Sequence, residues 1–223
     1  MKFLINSSVV LLCLFVVSCT VNIETKDAEP ELTPNEDRAF AAVGEYFGGY
    51  AKWKKGEDKQ NGKKITYFEI QLSQSSLIEE QYADKLEMPG SNMALIFYNN
   101  LGNDRSNFTH VRVQITLKNG VKNQHQYSME ELEAAAIVAD VFYEAADELR
   151  NLEYQKFTTR FDSIKYPNIG RDIETLYSQI DSVYAPSTRV ELTGFDFHPP
   201  DPSKGNVALA VAAGAICFPK ENV

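Results

Sequence analysis

Asp140, Glu144 and Asp147 recur at spacings of three and four along one flank of the longest helical pattern in the chain. Carboxylates do acid–base work when a pocket tunes one of them towards neutral pH. Like charges at this helical spacing also repel slightly, which favours a face bathed in water. The histidines, His110, His125 and His198, fall in three separate elements, and none has a second His, Cys or acid at a metal-ligand spacing. His110 and His125 could meet across a hairpin, although a surface strand or loop position fits each of them better. The sequence has no P-loop, no Gly-x-Gly-x-x-Gly turn and no Gly-x-Ser-x-Gly nucleophile elbow. Neither a metal nor a cofactor is expected.

Binding chemistry has one further candidate. Lys52–Lys64 holds six lysines against Glu57 and Asp58, with Asn61-Gly62 as a turn signal. Trp53, Lys54 and Lys55 could form a small patch for an anion or a polysaccharide, with the indole as a stacking platform. The alternative is a solvated hairpin-like loop. Tyr46, Tyr50 and Trp53 likewise read either as a sugar platform or as aromatics at the edge of a core. The whole chain is acidic, at net charge −9. Its field repels nucleic acid and anionic lipid, so no nucleic-acid partner is expected.

The N-terminus has the layout of a secretory signal. Lys2 is followed by about fifteen mostly apolar residues, Phe3–Val17, then the small Ser18. That run is short of the ~20 residues a membrane-spanning helix needs. It closes with Val16-Val17-Ser18-Cys19, which resembles the lipobox of bacterial lipoproteins. The resemblance implies removal of residues 1–18 and a diacylated, palmitate-bearing Cys19 at the new N-terminus. Two or more acyl chains anchor a protein stably where one does not. Without Lys2 the balance is 21 basic against 31 acidic side chains, net −10 for the acylated chain. Thr20 follows Cys19, and the Asp that serves such lipoproteins as a retention signal is missing there. The expected location is therefore the outer membrane, facing the periplasm, and the oligomeric state is left open. With Cys13 in the leader and Cys19 acylated, only Cys217 remains, so no intramolecular disulfide is expected. Cys217 lies between Ile216 and Phe218 and reads as a small buried apolar residue.

Residues 19–34 carry Glu24, Asp27, Glu29, Glu31 and two prolines with almost no bulky apolar side chain, the composition of an acidic tether. At ~5–6 Å × √n such a stretch reaches about 20 Å. Thr33-Pro34-Asn35-Glu36 opens a helix to about Gly48 through a capping box and proline at its first position. From Thr66 the period is two, with Phe68, Ile70 and Leu72 on one face of a half-buried strand. Ser91–Leu101 reads as a short helix. Val111–Leu117, the turn Lys118-Asn119-Gly120 and Val121–Tyr127 form a hairpin. Ser128-Met129-Glu130-Glu131 caps the longest helix, which ends near Arg150. A short helix with Phe157, Phe161 and Ile164 follows, then another from about Gly170 to Ala185. Strands at Arg189–Phe197 and Val207–Phe218 close the chain. The expected class is α+β, with a helix/strand region over 35–127 and, over 128–223, three helices followed by antiparallel strands.

Val141–Leu152, the corner Leu152-Glu153-Tyr154-Gln155-Lys156-Phe157, Ile173–Tyr184 and the strand from Val190 to Phe195 together resemble small NTF2-like domains of secreted bacterial proteins. The resemblance covers the second half of the chain. It implies that Asp140 or Asp147, with Tyr143 nearby, would act as general acid/base in a conical pocket. Such domains carry three or four strands after the third helix, and Thr188–Val223 has room for two or three, so the sheet is expected to be incomplete or completed by the first half. The whole chain also resembles lipoproteins of Bacteroidetes-type bacteria, a likeness that implies no particular activity. Within that group Asp162-Ser163-Ile164 and Asp181-Ser182-Val183 resemble O-glycosylation sites, though both lie inside helical patterns. The functional expectation is a membrane-anchored, non-catalytic module binding an envelope protein, a glycan or a small envelope molecule. The alternative is an NTF2-like enzyme acting on a small periplasmic substrate.

Overall fold

A computed structural model describes residues 31–161, 164–181, 189–198 and 209–217. Cys19, Asp162 and Ser163 of the first Asp-Ser-apolar triplet, Ser182 and Val183 of the second, and the ends of the expected last strand fall outside the described residues. Leu32–Val223 cluster as one unit. The architecture is mixed α+β, as its sequence pattern requires. Helix α1 is Pro34–Phe47, followed by strands β1 (Tyr50–Gln60) and β2 (Lys63–Ser73), then helices α2 (Ser76–Gln81) and α3 (Glu87–Asn100). After a 3₁₀ turn at Gly102–Asn107 come β3 (His110–Thr116), β4 (Lys122–Ser128), α4 (Met129–Arg150), α5 (Tyr154–Thr158), α6 (Ile169–Asp181), β5 (Arg189–His198) and β6 (Leu209–Cys217). No helix among the described residues is long and apolar enough to cross a membrane.

Both capping boxes form. Thr33 Oγ1 accepts from the Glu36 amide at 3.1 Å, and the Glu36 carboxylate accepts from the Thr33 amide at 2.9 Å. Ser128 and Glu131 repeat the exchange at the start of α4, at 3.1 and 2.7 Å. Such caps satisfy amides that the first helical turn leaves without intrahelical partners. Glu36 is almost fully buried and also takes Lys55 Nζ at 2.9 Å, so one carboxylate ties α1 to β1.

The four-stranded sheet runs β1-β2-β3-β4, antiparallel except for the parallel β2–β3 pair. A parallel neighbour needs a crossover, and α2 with α3 supplies it. This places β2 centrally, which changes the half-buried strand read from its alternation. Phe68, Ile70 and Leu72 are buried on the helix side, and Tyr67 and Glu69 are buried on the other. The end of β1 reaches across that second face. Asp58 pairs with Arg112 at 2.7 Å, Arg112 lies over the Tyr67 ring, and Gln126 donates to Gln60 at 3.2 Å. The Tyr67 ring lies against Gly56, where a Cβ would come within 2.6 Å of its Cζ.

Helix α3 starts at Glu87, four residues before the expected Ser91, with Pro89 inside its first turn, where the missing N–H costs nothing. It lies between the four-stranded sheet and β5, so nearly every side has a covering element. That explains its apolar character all round. The main core runs from Ala39 and Val43 through Phe68 and Phe97 to Leu132, Ala135, Leu192 and Phe195, and so crosses from residues 35–127 into 128–223. Among the described residues β5 and β6 form a two-stranded antiparallel sheet of their own, and the first sheet does not extend it.

A smaller cluster joins the end of α4 to α5 and α6 through Leu149, Phe157 and Tyr177. Here α5 stops at Thr158, and the Thr159, Arg160 and Phe161 amides instead donate to the Lys156, Phe157 and Thr158 carbonyls at 3.1, 3.2 and 3.1 Å, closing the chain into turns. Ile164, expected on the apolar stripe, is 92% exposed. Glu148 is buried beside this cluster. The Arg160 guanidinium grips it through two 2.8 Å hydrogen bonds, and Lys156 adds a longer one, holding its carboxyl down to about 2. A depressed carboxyl contributes stability above the unfolded-state range of about 4 and loses it as pH falls towards the folded value. The melting temperature of wild type should therefore exceed that of Glu148→Gln at pH 6, with the gap closing between about pH 5 and 2. A gap that stays constant over that range would contradict this role for the Glu148–Arg160 pair.

Candidate functional site

A cavity of about 590 Å³ opens where α1, α2, α3, α4 and β5 meet. Its polar lining is Tyr46, Tyr82 and Tyr143 with Glu45, Gln81, Arg189 and Glu191, and its walls include Leu77, Ile96 and Leu192. Tyr46 sits beside the buried Phe47 in the last turn of α1, their rings 4.8 Å apart edge to face. Tyr82 caps the end of α2, and Tyr143 follows Phe142 on α4. The Arg189 guanidinium of this lining pairs with Glu191.

Strand β5 is fastened to α3 at a bulge between Leu192 and Gly194. The Leu192 carbonyl accepts from Asn92 Nδ2 at 2.9 Å and from the Tyr46 hydroxyl at 3.5 Å. The Phe195 amide donates to Ser91 Oγ at 2.9 Å, and Ser91 Oγ donates to the Met88 carbonyl at 3.0 Å. Gly194 leaves no room for a Cβ against Met88 and Ser91. Burial pushes the Tyr46 phenol up, the nearby Tyr82 phenol adds to this, and the Asn92 amide acts the other way. Burial likewise raises Tyr82, with Cys217 adding to it. Both phenols stay protonated at neutral pH, so each can donate and accept a hydrogen bond.

A second cavity of about 360 Å³ lies between the start of α3, β4 and β5, lined by His125, Tyr127, Glu87, Glu131 and Asp196 among others. Burial lowers His125, with Glu87 opposing it, and raises Tyr127. His125 Nε2 is buried without a hydrogen-bond partner. No group of His, Cys, Asp and Glu among the described residues could hold a metal. The strand register separates His110 from His125. His110 pairs with Ser128, and His125 pairs with Val113, three positions along, which puts the two rings on opposite faces of the hairpin. The side chain of His198 lies outside the described residues.

Tyr143 lines the larger cavity, while Asp140 and Asp147 are exposed and line neither cavity; Asp147 pairs with Arg150 at 2.7 Å. Trp53 and Lys55 share one face of β1 and Lys54 takes the other. The indole stacks on Phe68 at 6.0 Å with Lys55 Nζ above it at 5.7 Å, so both rim groups of the expected patch are used internally. Cys217 is a free thiol, half-buried. Sequence reasoning missed Tyr82, Gln81 and Leu77, because the stretch between β2 and α3 has no clear period. The local signal it does hold is Ser75, whose hydroxyl caps α2. No family model, curated protein or solved structure matches the chain.

Proposed function

We propose that this chain is a membrane-anchored envelope lipoprotein whose folded body is a non-catalytic binding module. Cys19 carries the lipid, residues 19–34 are the tether, and the lack of Asp after Cys19 favours the outer membrane facing the periplasm. The observation that carries the binding role is the cavity at Tyr46, Tyr82 and Tyr143. Its volume falls in the range of about 300–1,000 Å³ typical of small-molecule sites, and apolar walls with a few convergent polar groups are what such sites require. Asp140 and Asp147 stand on the outer flank of α4 and serve this function only as solvated charge.

The test uses full-length protein extracted from its own membranes in mild non-ionic detergent. Native mass spectrometry of the wild type should show a non-covalent small-molecule adduct. Ala42→Trp, which fills the cavity from α1, should lose it while keeping its circular dichroism spectrum. An adduct retained by Ala42→Trp, or none on the wild type, would contradict the cavity as the binding site.

A further inference from the structure

Resting on this cavity as the binding site, we infer that its ligand is a small organic ammonium ion with an apolar body. Three independent features select that chemistry. Among the described residues the lining carries one net negative charge, Glu45 and Glu191 against Arg189. The one cation among the described lining residues, Arg189, already has its charge met by Glu191. Among the described residues Glu45 has no ion-pair or hydrogen-bond partner and is the lining's open carboxylate.

The aromatic rings carry the second feature. Elsewhere in the body Tyr50, Trp53, Tyr67, Tyr98 and Tyr166 each lie under one of the chain's own lysines or arginines, at 3.7 to 5.7 Å from the ring centroid. None of the chain's own cations covers Tyr46, Tyr82 or Tyr143 among the described residues, and Tyr46 and Tyr143 are 37% and 42% exposed. A ring's negative face attracts a cation placed within about 6 Å of it. Three such rings beside an open carboxylate form an acceptor for a positive head group.

The apolar walls supply the third feature. Leu77, Ile96 and Leu192 can cover the methyl or methylene groups of an ammonium ion, which hold little water. An inorganic cation would have to shed a tightly held hydration shell against these side chains, with one carboxylate in return. A neutral ligand of the same shape would use the walls but gain nothing from Glu45 or the ring quadrupoles.

The probes are choline chloride and its uncharged carbon isostere, 3,3-dimethylbutan-1-ol, titrated calorimetrically into the full-length protein in non-ionic detergent. Choline should bind saturably, and the isostere about tenfold more weakly or worse. Glu45→Gln should weaken choline by about tenfold and leave the isostere unchanged. Tyr143→Ala should weaken both probes, whereas Asp140→Asn, on the outer flank of the same helix, should change neither. Equal affinity for the two probes, or no effect of Glu45→Gln, would overturn the ammonium assignment. So would the absence of choline binding at millimolar concentration. In each case an adduct that Ala42→Trp abolishes would leave the cavity standing as the site, and loss of that adduct result would remove the site as well.

Discussion

Phe68→Ala is expected to cost about 3–5 kcal/mol of folding stability, the usual range for truncating a buried aromatic ring. Phe68 is fully buried on the central strand β2. Its ring lies 4.3 Å from Phe97, 5.7 Å from Phe108, 6.0 Å from Trp53 and 6.5 Å from Phe40, so three other elements and a connecting segment converge on it. Aromatic pairs in tilted and edge-to-face geometry contribute about 0.5–1.5 kcal/mol beyond area burial. Truncation also leaves a cavity that strands and helices fixed by other contacts cannot collapse into. Against a typical total of about 5–15 kcal/mol, the loss is a large share of the stability of the body. Urea unfolding should show a lower midpoint with an unchanged slope. Phe68→Leu, which keeps most of the volume, should cost far less. A loss below about 1 kcal/mol for Phe68→Ala would mean that the ring does not organise this core.

Gly194→Val is expected to destabilise the protein by about 1–3 kcal/mol or more and to weaken any ligand held in the larger cavity. A Cβ there would stand 2.7 Å from Ser91 Oγ and 2.9 Å from the Met88 carbonyl carbon, and closer still to its oxygen. Ser91 Oγ could rotate away, but the Met88 carbonyl is backbone and cannot, so the clash persists. The strand has to lift from α3, which breaks the bond from the Phe195 amide to Ser91 Oγ. The Leu192 carbonyl moves with it, and that carbonyl orients Asn92 and Tyr46. Hydrogen exchange at the Phe195 amide should therefore accelerate in the variant beyond the average change across the sheet. An unchanged rate at Phe195 beside a large global loss would show that the damage lies elsewhere.

These two positions also mark where sequence reasoning succeeds and where it stops. Phe68 is legible because its strand alternates, and the capping boxes at Thr33 and Ser128 are legible because their atoms lie within three residues of one another. The β3–β4 hairpin is equally local, joined by a turn at Gly120 with positive φ. The parallel β2–β3 pairing is not legible, because it depends on the crossover through α2, a six-residue helix too short to show a period. Gly194 looks like an ordinary strand glycine until α3 is brought against it.

The candidate site is less legible still, because its parts are distant in the chain. Tyr46 and the Leu192 carbonyl meet across 146 positions. Residues conspicuous in the sequence went to internal uses. Lys55 closes the pair with Glu36, Trp53 stacks on Phe68, and Asp147 pairs with the next turn of its own helix. Clusters of like residues on one element announce themselves without being sites, whereas a cavity assembled from five elements leaves no local signature.

The tether on which the proposed function depends is tested most directly by metabolic palmitate labelling of wild type and Cys19→Ala, read with intact mass and membrane fractionation. The wild type should incorporate label, lose the first 18 residues and sediment with membranes, and Cys19→Ala should lose the label and leave the membrane fraction. Equal membrane retention of both proteins without label would contradict the lipoprotein assignment and the envelope location with it.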